Sequence, residues 1–593
     1  MTKVAPLWEM TKELSLVAMG IKKADLVLQG GKLINVNTHE IISDTDIAIK
    51  FGRIAFVGDA SHTIGDNTEV IDAKGFYIAP GFMDGHLHVE SSMLTVSQYS
   101  NTVVPRGTTA IFMDPHEIAN VLGMPGVKLM VEEGKKVSLR VFNAMPSCVP
   151  ATDDFEDTGA MITVGDIKEA MTWDETAGLG EMMNFVGVVN GDDTVHAKIA
   201  ETLKAKKCVT GHFSISDDTM LNAYVSAGCR SCHESVNAED ALTKMRLGMY
   251  AKLREGSAWH DLKEVVKPLT EKQVSSRFAI LVSDDTHPDT LVNLGHLDHI
   301  VRRAIEEGVN PITAIEMVTI NVAECFNMTM DLGSVSPGKI ADIVLISDLT
   351  KVKVDQVIIG GKLVAKGGKM LTQDPIVPYP KWSKDTVKLE KPLTLDDFVI
   401  KAEGDKKKVR VMEVQEAKVG TKAIIAELPV VNGALKVSPE KNLAKVAVFE
   451  RHHKTGMKSL GLVKGFGLQK GAVASTVAHD SHNLLIVGVN DLDMQLAGNY
   501  LAEHRGGMIA VSEGKVLAHL PLPIAGLITD RPVEEVWEQV KKLDDAWRAL
   551  GCNMVSPFMT MALLSLAVLP ELRITNRGLV DTLNFKYVDL FVD

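Results

Sequence analysis

The sequence predicts an α/β protein: a (β/α)8 barrel of TIM type with a small flanking β-sandwich and an extra C-terminal α+β domain. Three observations predict it. The block 80–330 alternates short apolar runs with helical patterns, as repeated β-α units around a parallel sheet require. The stretches on either side of that block share one alternating, glycine-punctuated texture, as two parts of one small sheet structure would. After a proline-rich interval the chain resumes with strands and one long helix in no β-α rhythm. The expected division is 1–79 for an N-terminal helix and the first part of the sandwich, 80–330 for the barrel, and 331–373 for the second part of the sandwich. Residues 374–394 are expected to be a linker and 395–593 the C-terminal domain.

The elements follow in order. Residues 1–20 read as an amphipathic helix through Leu7, Trp8, Met10, Leu14, Leu16 and Val17. Strands are expected at 24–31, 46–49 and 53–58, and the texture returns at 341–346 and 354–364. Tyr77–Met83 reads as an apolar strand interrupted by a Pro-Gly turn. In the barrel, strands are expected at 110–113, 139–142, 185–189, 209–211 and 279–282. Pro375, Pro378, Pro380 and Pro392 mark the linker. Beyond it, 409–412 and 484–487 read as strands and 532–550 as a helix.

The formal net charge of -13 disfavours a nucleic-acid phosphate track. Six cysteines scattered over 593 residues do not suggest a disulfide framework and read as packing residues. The longest early apolar run, Leu14–Met19, is too short for a signal peptide or a membrane span. The expectation is a cytoplasmic homo-oligomer acting on a small molecule, with neither nucleic acid nor membrane as partner.

The most informative stretch is Gly85-His86-Leu87-His88, at the end of an apolar run. Side chains two apart on a strand share a face, so His86 and His88 can offer two imidazoles to one ion. Four further ligand types follow apolar runs: Glu181, His212, His233 and Asp284. Barrel sites lie at the C-terminal strand ends, where these residues fall. Four histidines and two carboxylates suit a pair of divalent ions, zinc, manganese or iron(II). Two such ions can share a hydroxide that is nucleophilic at neutral pH. A carboxylate beside it, Asp284, can collect its proton and pass it to a leaving group. This makes the barrel a metal-dependent hydrolase. Asp285 is the rival for the place of Asp284. Asp284 also has a bland reading, as the N-cap of a helix at 289–294.

These motifs resemble the amidohydrolase superfamily and, more closely, its bacterial adenine deaminases. The resemblance rests on Pro80–Leu94, Asp114–Gly123, Gly180–Asn184 and Ser283–Pro288, and on Lys464–Gly467 and Ala478–Asn483 in the C-terminal domain. It implies hydrolytic deamination of adenine to hypoxanthine and ammonia at a binuclear site that often prefers manganese or iron(II). It places Glu181 where many relatives carry a carboxylated lysine. Two departures, Phe213–Ser216 and Thr286, are expected near the pocket mouth. A cyclic-amide hydrolase of the dihydropyrimidinase type and a non-catalytic scaffold on the same fold are the competing readings.

Attack at C6 of a purine requires a proton on the neighbouring ring nitrogen. Asp114, His116 and Glu117, which follow the strand at 110–113, are the catalytic candidates for it, with Glu117 preferred. Glu117 and Asp285 are also candidates to bind the purine edge. Against this, Glu117 can be read as a helix N-terminal acid. Cys229-Arg230-Ser231-Cys232-His233 matches the C-x-x-C-H pattern, but its place in the β-α block argues against haem. His479, Asp480 and His482 are expected to form a turn satisfied locally. His452 and His453, among charged neighbours, are expected on the solvated surface.

Overall fold

The structure, a computed structural model, describes residues 4–592 apart from 153, 258 and 417. The first three residues of the expected N-terminal helix and residue 593 lie outside the described residues. The helix spans Leu7–Ala18 and buries Met10, Leu14 and Val17 against Val27, Ala48 and Ala55, while Trp8, expected on the same face, is exposed.

The two flanks form one nine-stranded sheet. Leu26–Asn35 pairs antiparallel with Glu40–Lys50 and parallel with Tyr77–Pro80. Tyr77–Pro80 in turn pairs antiparallel with Ile343–Asp348, from beyond the barrel. The period of two decides which side each residue serves. Ile343 and Leu345 join Leu28, Ile47 and Ile78 in one cluster, while Val344 and Ile346 turn into the main core.

Eight parallel strands make the barrel: β1 (Phe82–Leu87), β2 (Thr108–Met113), β3 (Arg140–Met145), β4 (Thr176–Met182), β5 (Cys208–Gly211), β6 (Cys229–Cys232), β7 (Tyr250–Arg254) and β8 (Ala279–Val282). They pair in chain order. A parallel bridge between Leu87 and Asp284 closes the ring, with Asp284 N donating to the His86 carbonyl at 3.1 Å.

One expected strand is wrong. Phe185–Asn190 is a helix, opened by the Asn184 side chain accepting from Gly187 N and closed by Gly191 at φ 77°. A short apolar run does not by itself distinguish strand from helix, and the local caps decide here. The strand lies just before it, as β4, hidden in the sequence by two glycines. Both are sterically required. A Cβ at Gly178 would meet the Cys208 carbonyl oxygen at 2.1 Å, and one at Gly180 would meet Asp114 Oδ2 at 2.4 Å.

Residues 374–394 run as a strap pinned to the barrel. Asp374 accepts from Ser100 Oγ at 2.6 Å and from Ser138 N at 2.9 Å, and Tyr379 donates to Glu133 at 2.7 Å. Beyond the strap lie a ten-stranded sheet, which includes Lys406–Val414 and Leu484–Gly488, and a three-stranded sheet. The helix Val533–Leu550 buries Trp547 completely. Among the described residues no helix is long and apolar enough to cross a membrane.

Candidate active site

Every expected ligand lies at the C-terminal rim of the barrel. His86 is in β1 and His88 just after it, Glu181 is in β4, His212 follows β5, His233 follows β6, and Asp284 lies two residues past β8. Their ligand atoms converge. Glu181 Oε1 is 3.4 Å from His88 Nε2, and Oε2 is 2.6 Å from His212 Nδ1 and 3.1 Å from His233 Nε2. Asp284 Oδ1 is 3.4 Å from His86 Nε2 and 3.2 Å from His88 Nε2. The His86 and His233 rings stack at 3.9 Å. Glu181 thus lies among three histidines, as a bridging carboxylate would.

The donor set fits divalent ions. His86 Nε2, which faces Asp284, is buried with no hydrogen-bond partner, a costly state that a cation would relieve. His86, His233 and Asp284 form one trio able to hold an ion, and Glu181, His212 and His233 another. Burial, reinforced by His233, pulls His86 down to about 4, so it is a neutral ligand at pH 7. Burial raises the Glu181 carboxyl, but His233 and His212 outweigh it and hold it well below the usual range.

Several buried neighbours orient these ligands. Asp114 faces the back of the site: its Oδ2 accepts from Glu181 N at 2.7 Å, and its carbonyl oxygen lies 2.9 Å from His88 Nδ1. Arg254, on β7, donates to Asp284 Oδ2 at 2.8 Å and to Glu234 Oε1 at 2.7 Å. Asp284 is therefore not the cap of the following helix, Pro288–Asn293. It sits at φ 57° with its carboxylate turned inward. Sequence reading missed Arg254 and Glu234, since nothing in a charged residue on a strand or in the loop after one reveals an inward direction.

All of these ligands except the deeper His86 line a cavity of about 560 Å³, within the range of small-molecule sites. Glu117, His116, Asp285, His479 and Asp480 line it together with His88, Glu181 and Asp284. Its outer wall comes from the C-terminal domain, including Lys418–Lys422 and Leu563–Glu571. His116 lies between ligands and acid, with Nδ1 3.3 Å from Glu181 Oε1 and Nε2 3.5 Å from Glu117 Oε1. Asp285 accepts a hydrogen bond from Ser91 Oγ.

Two expectations are corrected. His479 and His482 are not satisfied within their turn: both reach Glu117, His479 Nδ1 at 2.6 Å from Oε1 and His482 Nε2 hydrogen-bonded to Oε2. Asp480, between them, is buried with Oδ2 unpartnered, and burial pushes its carboxyl up to about 6. His452 is buried and bonded to the Ser481 carbonyl at 2.8 Å, whereas His453 is exposed as expected, its ring reaching the Thr158 carbonyl at 2.8 Å. Two charged neighbours go inward with His452: Glu450 accepts from three backbone N–H groups nearby and Arg451 donates to carbonyls. Of the two departures, Phe213 is buried against Phe185 and Tyr224 with Ser214–Ser216 exposed just after His212, and Thr286 is buried next to Asp285.

Residues 77–364 match the family profile described as "Amidohydrolase family", the class that a barrel with such a rim defines. Residues 418–586 match "Adenine deaminase C-terminal domain". An adenine deaminase of Clostridium botulinum (strain ATCC 19397 / Type A) is 58% identical over 99% of this chain and 98% of its own length. One of Moorella thermoacetica is 59% identical over the same shares, and one of Mesorhizobium japonicum is 46% identical over 100% of this chain and 98% of its own. The chain belongs to the adenine deaminase family.

Proposed function

We propose that this protein hydrolyses adenine to hypoxanthine and ammonia, in purine salvage. The observation that carries the reading is the convergence of His86, His88, Glu181, His212, His233 and Asp284 on one cavity whose far wall is the C-terminal domain. Full-length similarity to adenine deaminases supports the substrate. Those six residues would hold two divalent ions, manganese or iron(II) with zinc as the alternative. When bound, the ions would supply water activated for attack at neutral pH.

The chain's own residues manage the protons. Asp284 takes the proton of the attacking water and carries it to the departing amine, the C6–N bond breaks, and ammonia leaves. Arg254 fixes Asp284 for both transfers. The ring nitrogen beside C6 gains its proton from the Glu117–His479 pair, which recovers one from the second O–H of the water as C6–O becomes the carbonyl of hypoxanthine. Burial lowers the His479 imidazole and raises the Glu117 carboxyl, but their mutual attraction wins: His479 is lifted to about 9 and Glu117 falls well below the usual range. The pair therefore holds one proton near pH 7. Asp285 binds the purine edge, His116 spans Glu181 and Glu117, and Asp114 orients Glu181.

The proposal carries over the sequence expectations of a cytoplasmic location, a homo-oligomer, a flanking sandwich folded from the nine-stranded sheet, and the domain boundaries given above. The test loads the protein with Mn(II) or Fe(II) and measures ammonia from adenine, adenosine and dihydrouracil. Release from adenine alone is expected. Turnover of dihydrouracil, or of none of the three, refutes the reading.

A further inference from the structure

We propose that His479 and His482, carried by the C-terminal domain, are positioning residues that fix the carboxylate of the barrel's Glu117. The active site is then complete only when the two domains are docked. The inference rests on the reading of Glu117 as part of the proton source.

Glu117 opens the barrel helix His116–Gly134 and is almost wholly buried. Its two oxygens face two imidazoles from a segment more than three hundred and sixty residues away: Oε1 faces His479 Nδ1 at 2.6 Å, and Oε2 accepts from His482 Nε2. The barrel's own His116 stands farther off, its Nε2 3.5 Å from Oε1. Without the two histidines a buried carboxylate would lose its main partners beside a cavity that must bind a neutral heterocycle.

The tautomer of His482 is set by its own turn. Ala478 N donates to His482 Nδ1 at 3.1 Å, so Nδ1 carries the lone pair and the ring proton sits on Nε2, the atom facing Glu117. This argues against a third cation held by Glu117, His479 and His482, although the three are close enough to chelate one. A cation at Nε2 would need a second lone pair on a ring that already spends one on Ala478.

The turn is rigid, as a positioning device must be. His482 is held at φ 52°, a region unfavourable for residues other than glycine, and its N–H donates back to the Ala478 carbonyl at 2.7 Å. Ser565 Oγ donates to the His479 carbonyl at 3.0 Å. Asn483 Nδ2 donates across the domains to the Asp157 carbonyl at 2.8 Å. The turn thus registers the C-terminal domain against the barrel.

The test compares variants that delete the donor, His479→Ala and His482→Leu, with variants that keep one near the same place, His479→Asn and His482→Gln. In full-length, Mn(II)-loaded protein, deletion is expected to lower kcat with adenine on the order of 10- to 100-fold, with KM changed less than about threefold and two metal equivalents retained. His482→Gln is expected to recover most of that loss, and His479→Asn, which keeps a donor but not a titratable proton, only part of it. Deletion variants within twofold of wild type, or His482→Gln as impaired as His482→Leu, would overturn the proposal. So would a wild-type metal content of three that falls to two on deletion. An arm without turnover separates this inference from the activity itself. In protein labelled with 15N-histidine, two imidazole N–H protons are expected far downfield and should move upfield in Glu117→Gln. Their absence from wild type overturns the proposal whatever the substrate proves to be.

Discussion

Gly180→Ala is a one-carbon change with a calculable effect on the metal site. The added Cβ would lie 2.4 Å from Asp114 Oδ2 and 2.8 Å from its Cγ, so the carboxylate must move. Asp114 is fully buried, and the oxygen in the way accepts the hydrogen bond from Glu181 N at 2.7 Å. Breaking a hydrogen bond to a charged group costs about 1.5–3 kcal/mol, and overpacking a filled interior adds about 1–3 kcal/mol. At about 1.4 kcal/mol per decade, the first figure alone corresponds to roughly 10- to 100-fold in metal affinity if it falls on the orientation of Glu181, the usual reach of a group behind a ligand. The assay titrates Mn(II) into apoprotein by calorimetry, with bound metal counted after dialysis against graded chelator. Gly165→Ala is the control, since its Cβ would meet only Thr163 Oγ1 at 3.5 Å. If Gly180→Ala binds Mn(II) as tightly as the control, the reasoning that Asp114 holds Glu181 in place is wrong.

Three further outcomes are expected. Glu117→Gln should lower deamination by about two to four orders of magnitude while metal content stays at wild type, and unchanged turnover would remove Glu117 from the mechanism. In metal-free protein, Arg254→Leu leaves buried Asp284 and partly buried Glu234 without their guanidinium and should destabilise the fold by about 3–5 kcal/mol in urea unfolding, as well as slowing turnover of the loaded enzyme; a stable variant would refute the role of that arginine. Burial, reinforced by Asp480, raises Glu156 from 4.5 to about 8, so between those pH values the folded chain keeps a proton that the unfolded chain has released. Stability should therefore fall as pH rises through that window, by an amount of order a few kcal/mol at most. Glu156→Gln should flatten the slope, which equilibrium unfolding at stepped pH would read directly.

The barrel rim was legible because its ligands sit where period and topology agree. His86 and His88 are two apart at the end of an apolar strand, and the other four lie in or just past the ends of later strands in chain order. What escaped was set by contacts between distant segments. β4 carries two glycines because Cys208 and Asp114 leave no room for a side chain, so the strand that bears Glu181 lacks the usual β-branched run. Phe185–Asn190 has the composition of a strand and the caps of a helix. His452 and Arg451 look solvated in sequence because backbone carbonyls supplied from elsewhere in the fold cannot be seen there. No local pattern joins Glu117 to His482, so the turn around Asp480 reads as self-contained until the chain is folded.

The sheet shared by the two flanks bears on how this chain can be made. Tyr77–Pro80 leads straight into the first barrel strand, yet its antiparallel neighbour Ile343–Asp348 is not synthesised until all eight barrel strands have left the ribosome. Throughout that interval Ile78 and Ala79 stand on a half-built edge whose free N–H and C=O groups invite the wrong partner. Nascent chains stalled before residue 343 should therefore be the most aggregation-prone species in the life of this protein, and emergence of the returning strand should mark the point at which they become soluble.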